Sequence, residues 1–273
     1  EAAWRLMLDP MEQRVLLSAD PLTVSLATTA GSADSVTVRF FEEPASGSGS
    51  GTAIQKVSIT WGGASGIGGS VGQDIYEIGI NNDGFLIETG LGDESVNIII
   101  DTMTRPLKGD FSIEVDTADG DDSITITSFA EGYIGGLNLT AEQITINSGV
   151  SVGTDATKVG NVELNATAGS NTTGTASASV VIDGSIYASG KVLVSADAVA
   201  GVQSSTDVIA VAEFDIVATA NVSVGGASTI TGNAISLVAA THVDVDIDVA
   251  NAVAASSLRD VTTTTTVTIS DND

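Results

Sequence analysis

The chain has no cysteine, only 4 prolines, and an aromatic content of 4%. Without cysteine there is no disulfide framework and no thiolate metal centre, and thiols say nothing about the compartment. With so few large rings, a 273-residue chain that is still 42% apolar must fill its interior with Val, Ile, Leu and Ala. That favours thin, repetitive β layers over a core built around aromatic side chains. Bases are scarce as well: 9 Lys and Arg stand against 35 Asp and Glu, giving a formal charge of -26 at pH 7. This excess of acid argues against nucleic acid or an anionic membrane as partner and makes cations the natural counterions. No stretch reaches the roughly 18 to 20 uninterrupted apolar residues of a membrane helix, so no transmembrane segment is expected. Residues 1–10 show no basic start followed by an apolar run, and no secretory leader is legible there. Because it opens on Glu1, the chain reads as a processed or partial product.

What is present is a short helical signal followed by strands. In AAWRLMLDPMEQRVLL, Trp4, Met7, Leu8, Met11 and Val15 recur at spacings of three and four, as one helix face requires, with Pro10 as a break. From Leu22 the period becomes two: LTVSLA, SVTVRF, KVSITW, NIIID, FSIEV, SITIT, QITIN, NVELNA, KVLVS, ISLVAA, VDVDIDV and VTISD are β-branched runs separated by Gly, Asn, Asp and Ser. The Gly/Ser stretch at residues 45–51 reads as a flexible loop and the one at 62–72 as a boundary. Three segments follow: an amphipathic cap at 1–22, a β module at 23–72, and β-solenoid repeats at 73–273.

The solenoid expectation rests on internal repetition. Windows 135–150, 183–198 and 226–241 superimpose without gaps and place Ile144 and Ile146, Val192 and Val194, and Ile235 and Leu237 at matching positions. The interval between windows suits two coils of roughly 20 to 25 residues each. Alternation sends Val, Ile and Leu inward and Ser, Thr, Asp and Asn to solvent. The fold class expected is all-β, a capped β module followed by a solenoid resembling a parallel β-helix; β-sandwich modules are the alternative.

Acids recur in turns. GDESV at 92–96 and GDDSI at 120–124 each offer a Gly, two acids, a Ser and then an apolar strand residue. Their Gly-x-acid-x-apolar pattern is similar to the second half of the RTX nonapeptide, a resemblance that implies calcium held by Asp93, Glu94, Asp119, Asp121 and Asp122. The other reading is that Asp and Gly simply make good turns. Further on, Asp244, Asp246 and Asp248 fall on one face of a strand, about 7 Å apart, where like charge protects an edge from stray pairing or holds cations against a partner.

Catalysis has little material. The single histidine, His242, sits beside that acidic strand as a surface residue, and no nucleophile elbow, zinc-helix or phosphate-loop motif occurs. A polysaccharide-active β-helix enzyme would need acids clustered with bases, which are scattered along this chain, so no enzyme is expected.

The segment MEQRVLLSADP at 11–21 resembles the LEPR-XLL segment near the start of very large, repeat-rich bacterial surface proteins. Glu12, Arg14, Leu16, Leu17, Ser18, Ala19, Asp20 and Pro21 match, while Met11 and Gln13 replace its first Leu and its Pro. The resemblance implies an exported Gram-negative protein at the cell surface or in the extracellular matrix, doing structural or adhesive work. The block could plug the apolar end of a solenoid or be recognised by an export or anchoring machine. Partners expected are glycans, other surface proteins or further copies of the chain. An alternative is a filament or sheath subunit that polymerises end to end, using the Thr-rich strand at 261–269.

Overall fold

A computed structural model describes residues 21–25, 33–43, 53–63, 72–78, 84–89, 93–103, 111–117, 121–130, 135–170, 175–205, 213–248 and 257–270. The segment at 1–20 expected to be helical, with most of the LEPR-XLL-like segment, lies outside them, as does the Gly/Ser stretch at 45–51. The described residues are all β, without a helix.

The strands in chain order are β1 (Leu22–Ser25), β2 (Ala33–Glu43), β3 (Ile54–Gly63), β4 (Gly72–Glu77), β5 (Gly84–Glu88), β6 (Asp93–Ile100), β7 (Ser112–Asp116), β8 (Ser123–Phe129), β9 (Gly136–Ala141), β10 (Gln143–Ile146), β11 (Ser151–Val152), β12 (Val162–Ser170), β13 (Thr175–Ile182), β14 (Ser185–Tyr187), β15 (Lys191–Ser205), β16 (Glu213–Val224), β17 (Ile230–Thr231), β18 (Ala234–Asp248) and β19 (Ser257–Ile269). One sheet runs β1-β5-β7-β9-β12-β15-β18 and a second runs β19-β16-β13-β10-β8-β6-β2-β3-β4. From β5 onward the chain passes from one sheet to the other and back. Each new strand lies parallel to its predecessor in the same sheet, giving a β-solenoid-like stack of coils. A short third sheet, β11-β14-β17, adds a side to the later coils.

Alternation along each strand explains the core. β6 and β13 both show buried residues at every second position, and parallel register stacks those residues coil upon coil. One row is Val38, Ile98, Ile126, Ile146, Ile182, Val224 and Ile269. The facing sheet contributes Leu22, Phe85, Ile113, Leu137, Val162, Val192 and Ile235. Phe40 and Phe85 meet edge to face between the sheets, ring centroids 5.3 Å apart. Corners need glycine at specific places: Gly153 has φ of 77°, and a Cβ there would sit 2.6 Å from the Tyr187 carbonyl oxygen.

Register corrects the repeat alignment read from sequence. Val192 does stack directly on Ile235, so that interval holds one coil and not two. Ile144 belongs to the other sheet, where it pairs with Val180; the stacking partners of Val192 toward the N-terminus are Val162 and then Leu137.

The two ends of the stack differ. At the N-terminal end, β3 and β4 turn antiparallel and extend the second sheet past β2. Trp61 covers Gly72, where a Cβ would collide with the indole. At the other end, β18 and β19 are the outermost strands, and Ile235, Val238, Val243, Val261, Val267 and Ile269 are exposed.

Candidate functional site: a buried ladder of acids

The two acidic turns come together, and the structure sorts their residues by strand alternation. Asp93 and Asp121 point outward and are exposed, with the Asp121 amide donating to Asp93 Oδ1 at 3.2 Å. Glu94 and Asp122 point inward, 1% and 0% exposed, because each stands two residues before the first inward apolar side chain, Val96 and Ile124. Asp119 lies outside the described residues.

The ladder has a further rung that the sequence reading passed over. Glu142 immediately precedes Gln143 and Asp122 immediately precedes its partner Ser123, which places Glu142 beside Asp122 on the next coil. On the preceding coil Asp34 is in register with Glu94. Four successive coils therefore carry an acid at one position of the stack: Asp34, Glu94, Asp122, Glu142. On the next three coils the position holds Ala178, Ala220 and Thr265. The signal was legible in the spacing alone, since ADSV, DESV, DDSI and AEQI all place an acid two residues before the inward apolar residue.

Main-chain amides support part of this charge. The Glu94 amide donates to Asp122 Oδ1 at 2.7 Å, and the Asp122 amide donates to Glu142 Oε2 at 2.9 Å. With both carboxyls ionised, the remaining oxygens, Glu94 Oε1 and Oε2 and Asp122 Oδ2, are buried without a donor; a proton held on Asp122 gives them a hydrogen bond to each other. Burial raises the Asp122 carboxyl to about 7, helped by a side-chain hydrogen bond with Glu94 and by the charges of Glu142 and Glu94, although the Glu94 amide works in the opposite direction. Among the described residues no ion pair joins a base to Glu94 or Asp122, and no group of three acids is placed to hold one metal ion.

Other candidates are less concentrated. His242 is exposed and lies 3.5 Å from Asp197, itself partly exposed. The backbone positions of Asp244, Asp246 and Asp248 face Gly201, Gln203 and Ser205 on β15. An open pocket of about 390 Å³ on the outer face of β2, β3, β4 and β6 is lined by Arg39, Phe41, Ser58, Thr60 and Gln73 among others; its one base, Arg39, is paired with Asp101 at 2.7 Å. No helix among the described residues is long and apolar enough to cross a membrane. Compared with protein families, curated proteins and solved structures, the chain matches none.

Proposed function

We propose that the chain is a non-catalytic structural or adhesive part of an exported bacterial protein of the cell surface or extracellular matrix. The observation that carries this reading is the stack itself: a seven-stranded parallel sheet and a nine-stranded sheet, parallel except at β3 and β4, form an extended scaffold whose outer faces are rich in Ser, Thr, Asn and acids. Such a scaffold presents repeated polar faces to a glycan or a neighbouring surface protein and holds them at fixed spacing. The LEPR-XLL-like segment supports the cell-surface placement. The direct test is to display the full chain on a heterologous cell surface and measure retention on glycan arrays and on bacterial matrix material. Retention above that of the bare display system supports the adhesive reading. Hydrolysis of an acidic polysaccharide would overturn the non-catalytic one.

A second reading, an end-to-end filament or sheath subunit, is favoured by one observation. The outermost strands β18 and β19 are long, 15 and 13 residues, and carry exposed apolar residues along an edge that nothing among the described residues covers. Sedimentation velocity across a concentration series separates the two. A filament subunit associates, and removing residues 261–273 abolishes association; a segment of a longer adhesin stays monomeric with or without them.

A further inference from the structure

We infer that the C-terminal end of the stack is a self-complementary interface on which a second copy of the chain docks tail to tail, β18 against β18 and β19 against β19, both antiparallel, about a two-fold axis that runs past Thr241 and Thr265. The inference rests on the second reading, that copies associate through this end, and specifies a closed pair where that reading has an open filament.

Strand lengths favour it. β18 and β19, the edges of the two sheets at this end, have 15 and 13 residues, whereas β1 and β4, the edges at the opposite end, have 4 and 6. Head-to-tail docking would leave most of each long edge unpaired; tail-to-tail docking pairs each long edge with one of its own length. The end is also a core cut open. Ile235, Val243, Val261, Val267 and Ile269 are exposed, yet they stand in register with the buried Val192, Ala200, Ile216, Val222 and Val224. This face, about 45 Å long and roughly 20 Å across with its side chains, offers on the order of 900 Å² per copy, and stable interfaces bury about 800 Å² per partner. Its centre is marked by the Thr241 and Thr265 hydroxyls, which meet between the sheets at 3.0 Å, stacked on the fully buried Ala198 and Ala220. Residue 241 is the midpoint of β18, Ala234–Asp248. A two-fold axis there sets Thr241 and Thr265 each opposite its own counterpart, and Thr–Thr pairs are favourable across antiparallel strands. Charge agrees. The acids of β18 are confined to Asp244, Asp246 and Asp248, and reversal about residue 241 puts them opposite Val238, Ser236 and Ala234, whereas parallel copies in register would set acid against acid. An isologous contact of this kind closes after two copies.

The test is sedimentation equilibrium of the full chain across a concentration series. The expected result is a mass that rises from one chain to two and then levels off. Ile269→Asp, at a position already exposed, should weaken pairing roughly 10-fold or more by burying an unpaired acid in the contact. Val238→Lys falls opposite Asp244 of the second copy and should tighten pairing about 2- to 10-fold, less so at high salt. Because the chain has no cysteine, Thr241→Cys places a single thiol beside the axis, where opposed residues lie about 5 Å apart, and mild oxidation should link the two copies. Thr23→Cys, at the far end, should stay unlinked. Mass that keeps growing past two chains contradicts the inference and leaves the filament reading standing; a monomer at every concentration contradicts both. A dimer that Val238→Lys weakens and that Thr241→Cys does not link overturns the two-fold arrangement. Should Ile269→Asp fail to fold, the other two variants still decide.

Discussion

The two ends of the stack solve the same problem in opposite ways. Every coil buries its apolar row against the next coil, so the outermost coil on each side has a face with no neighbour. At the N-terminal end the chain reverses, and β3 and β4 extend the sheet antiparallel to a six-residue edge strand, GQDIYE, whose charges and shortness discourage further pairing. Trp61 and Tyr76 pack against the core there. At the C-terminal end nothing reverses. β18 and β19 are long and parallel to β15 and β16, and Ile269 is 63% exposed although its row-mates Ile126 and Ile182 are fully buried. Burial in this fold is therefore set by position along the stack as much as by residue type.

The largest effect should come from comparing one row at two heights. Ile126→Ala, in the middle of the row, is expected to cost about 3 kcal/mol through lost burial and an unfilled cavity. Ile269→Ala, at the open end of the same row, should cost under about 1 kcal/mol because half its surface is already in water. Chemical denaturation of both variants checks the ratio. Equal costs would mean that the last coil is covered in solution.

A smaller change should follow at the closed end. Gly72→Val places a side chain where the Trp61 indole now lies, lifting the ring off the end of the stack at a cost of about 1 to 3 kcal/mol. A red shift in tryptophan emission together with faster proteolysis between β3 and β4 would report it. An unchanged spectrum would show that Trp61 does not cover this end.

The same contrast runs through the sequence and explains what could be read from it. Strands with β-branched inward residues, such as SVTVRF, SITIT and KVLVS, are legible because alternation and propensity agree. β13, TASASVVI, escaped notice because Ala and Ser carry little strand propensity; its burial of Ala176 and Ala178 is dictated by Ala218 and Ala220 on the next coil. The antiparallel turn from β3 to β4 was equally hidden, since GGASGIGGSVG announces a break in structure without saying which way the chain goes. Of the acid ladder, Glu94 and Asp122 were legible as turn acids, but Glu142 and Asp34 both lack the Gly-Asp context. The shared spacing to the inward apolar residue was the overlooked signal, and register places all four at one position of the stack. The coil length, finally, came from matching a strand of one sheet to strands of the other, an error that composition cannot reveal when both sheets share the same alphabet.

That acid row separates the closed half of the stack from the open half and gives a pH prediction. The folded-state carboxyl of Asp122 lies well above its ordinary value of 3.8, at about 7. The fold therefore binds a proton that the unfolded chain releases. The stability from this group is fully present below 3.8, falls as pH rises toward about 7, and is level beyond. Asp122→Asn should flatten that slope, while Ala178→Ser on the next coil should leave it intact. Melting curves across pH 4 to 8 test this; a wild-type slope that Asp122→Asn leaves unchanged would contradict it.

The smallest effect concerns the outer surface. Arg39 and Asp101 form an exposed ion pair, so Asp101→Asn should cost about 0.5 kcal/mol or less, and less still at high salt.

The most direct measurement of the contrast between the ends is amide hydrogen exchange resolved by segment, on protein shown by sedimentation to be monomeric. A stack closed by β3 and β4 and open at β18 and β19 predicts the slowest exchange in β6, β8, β10 and β13, with protection falling through β16 to its lowest value in β18 and β19. Protection in β18 and β19 as high as in the middle coils of the monomer would contradict it.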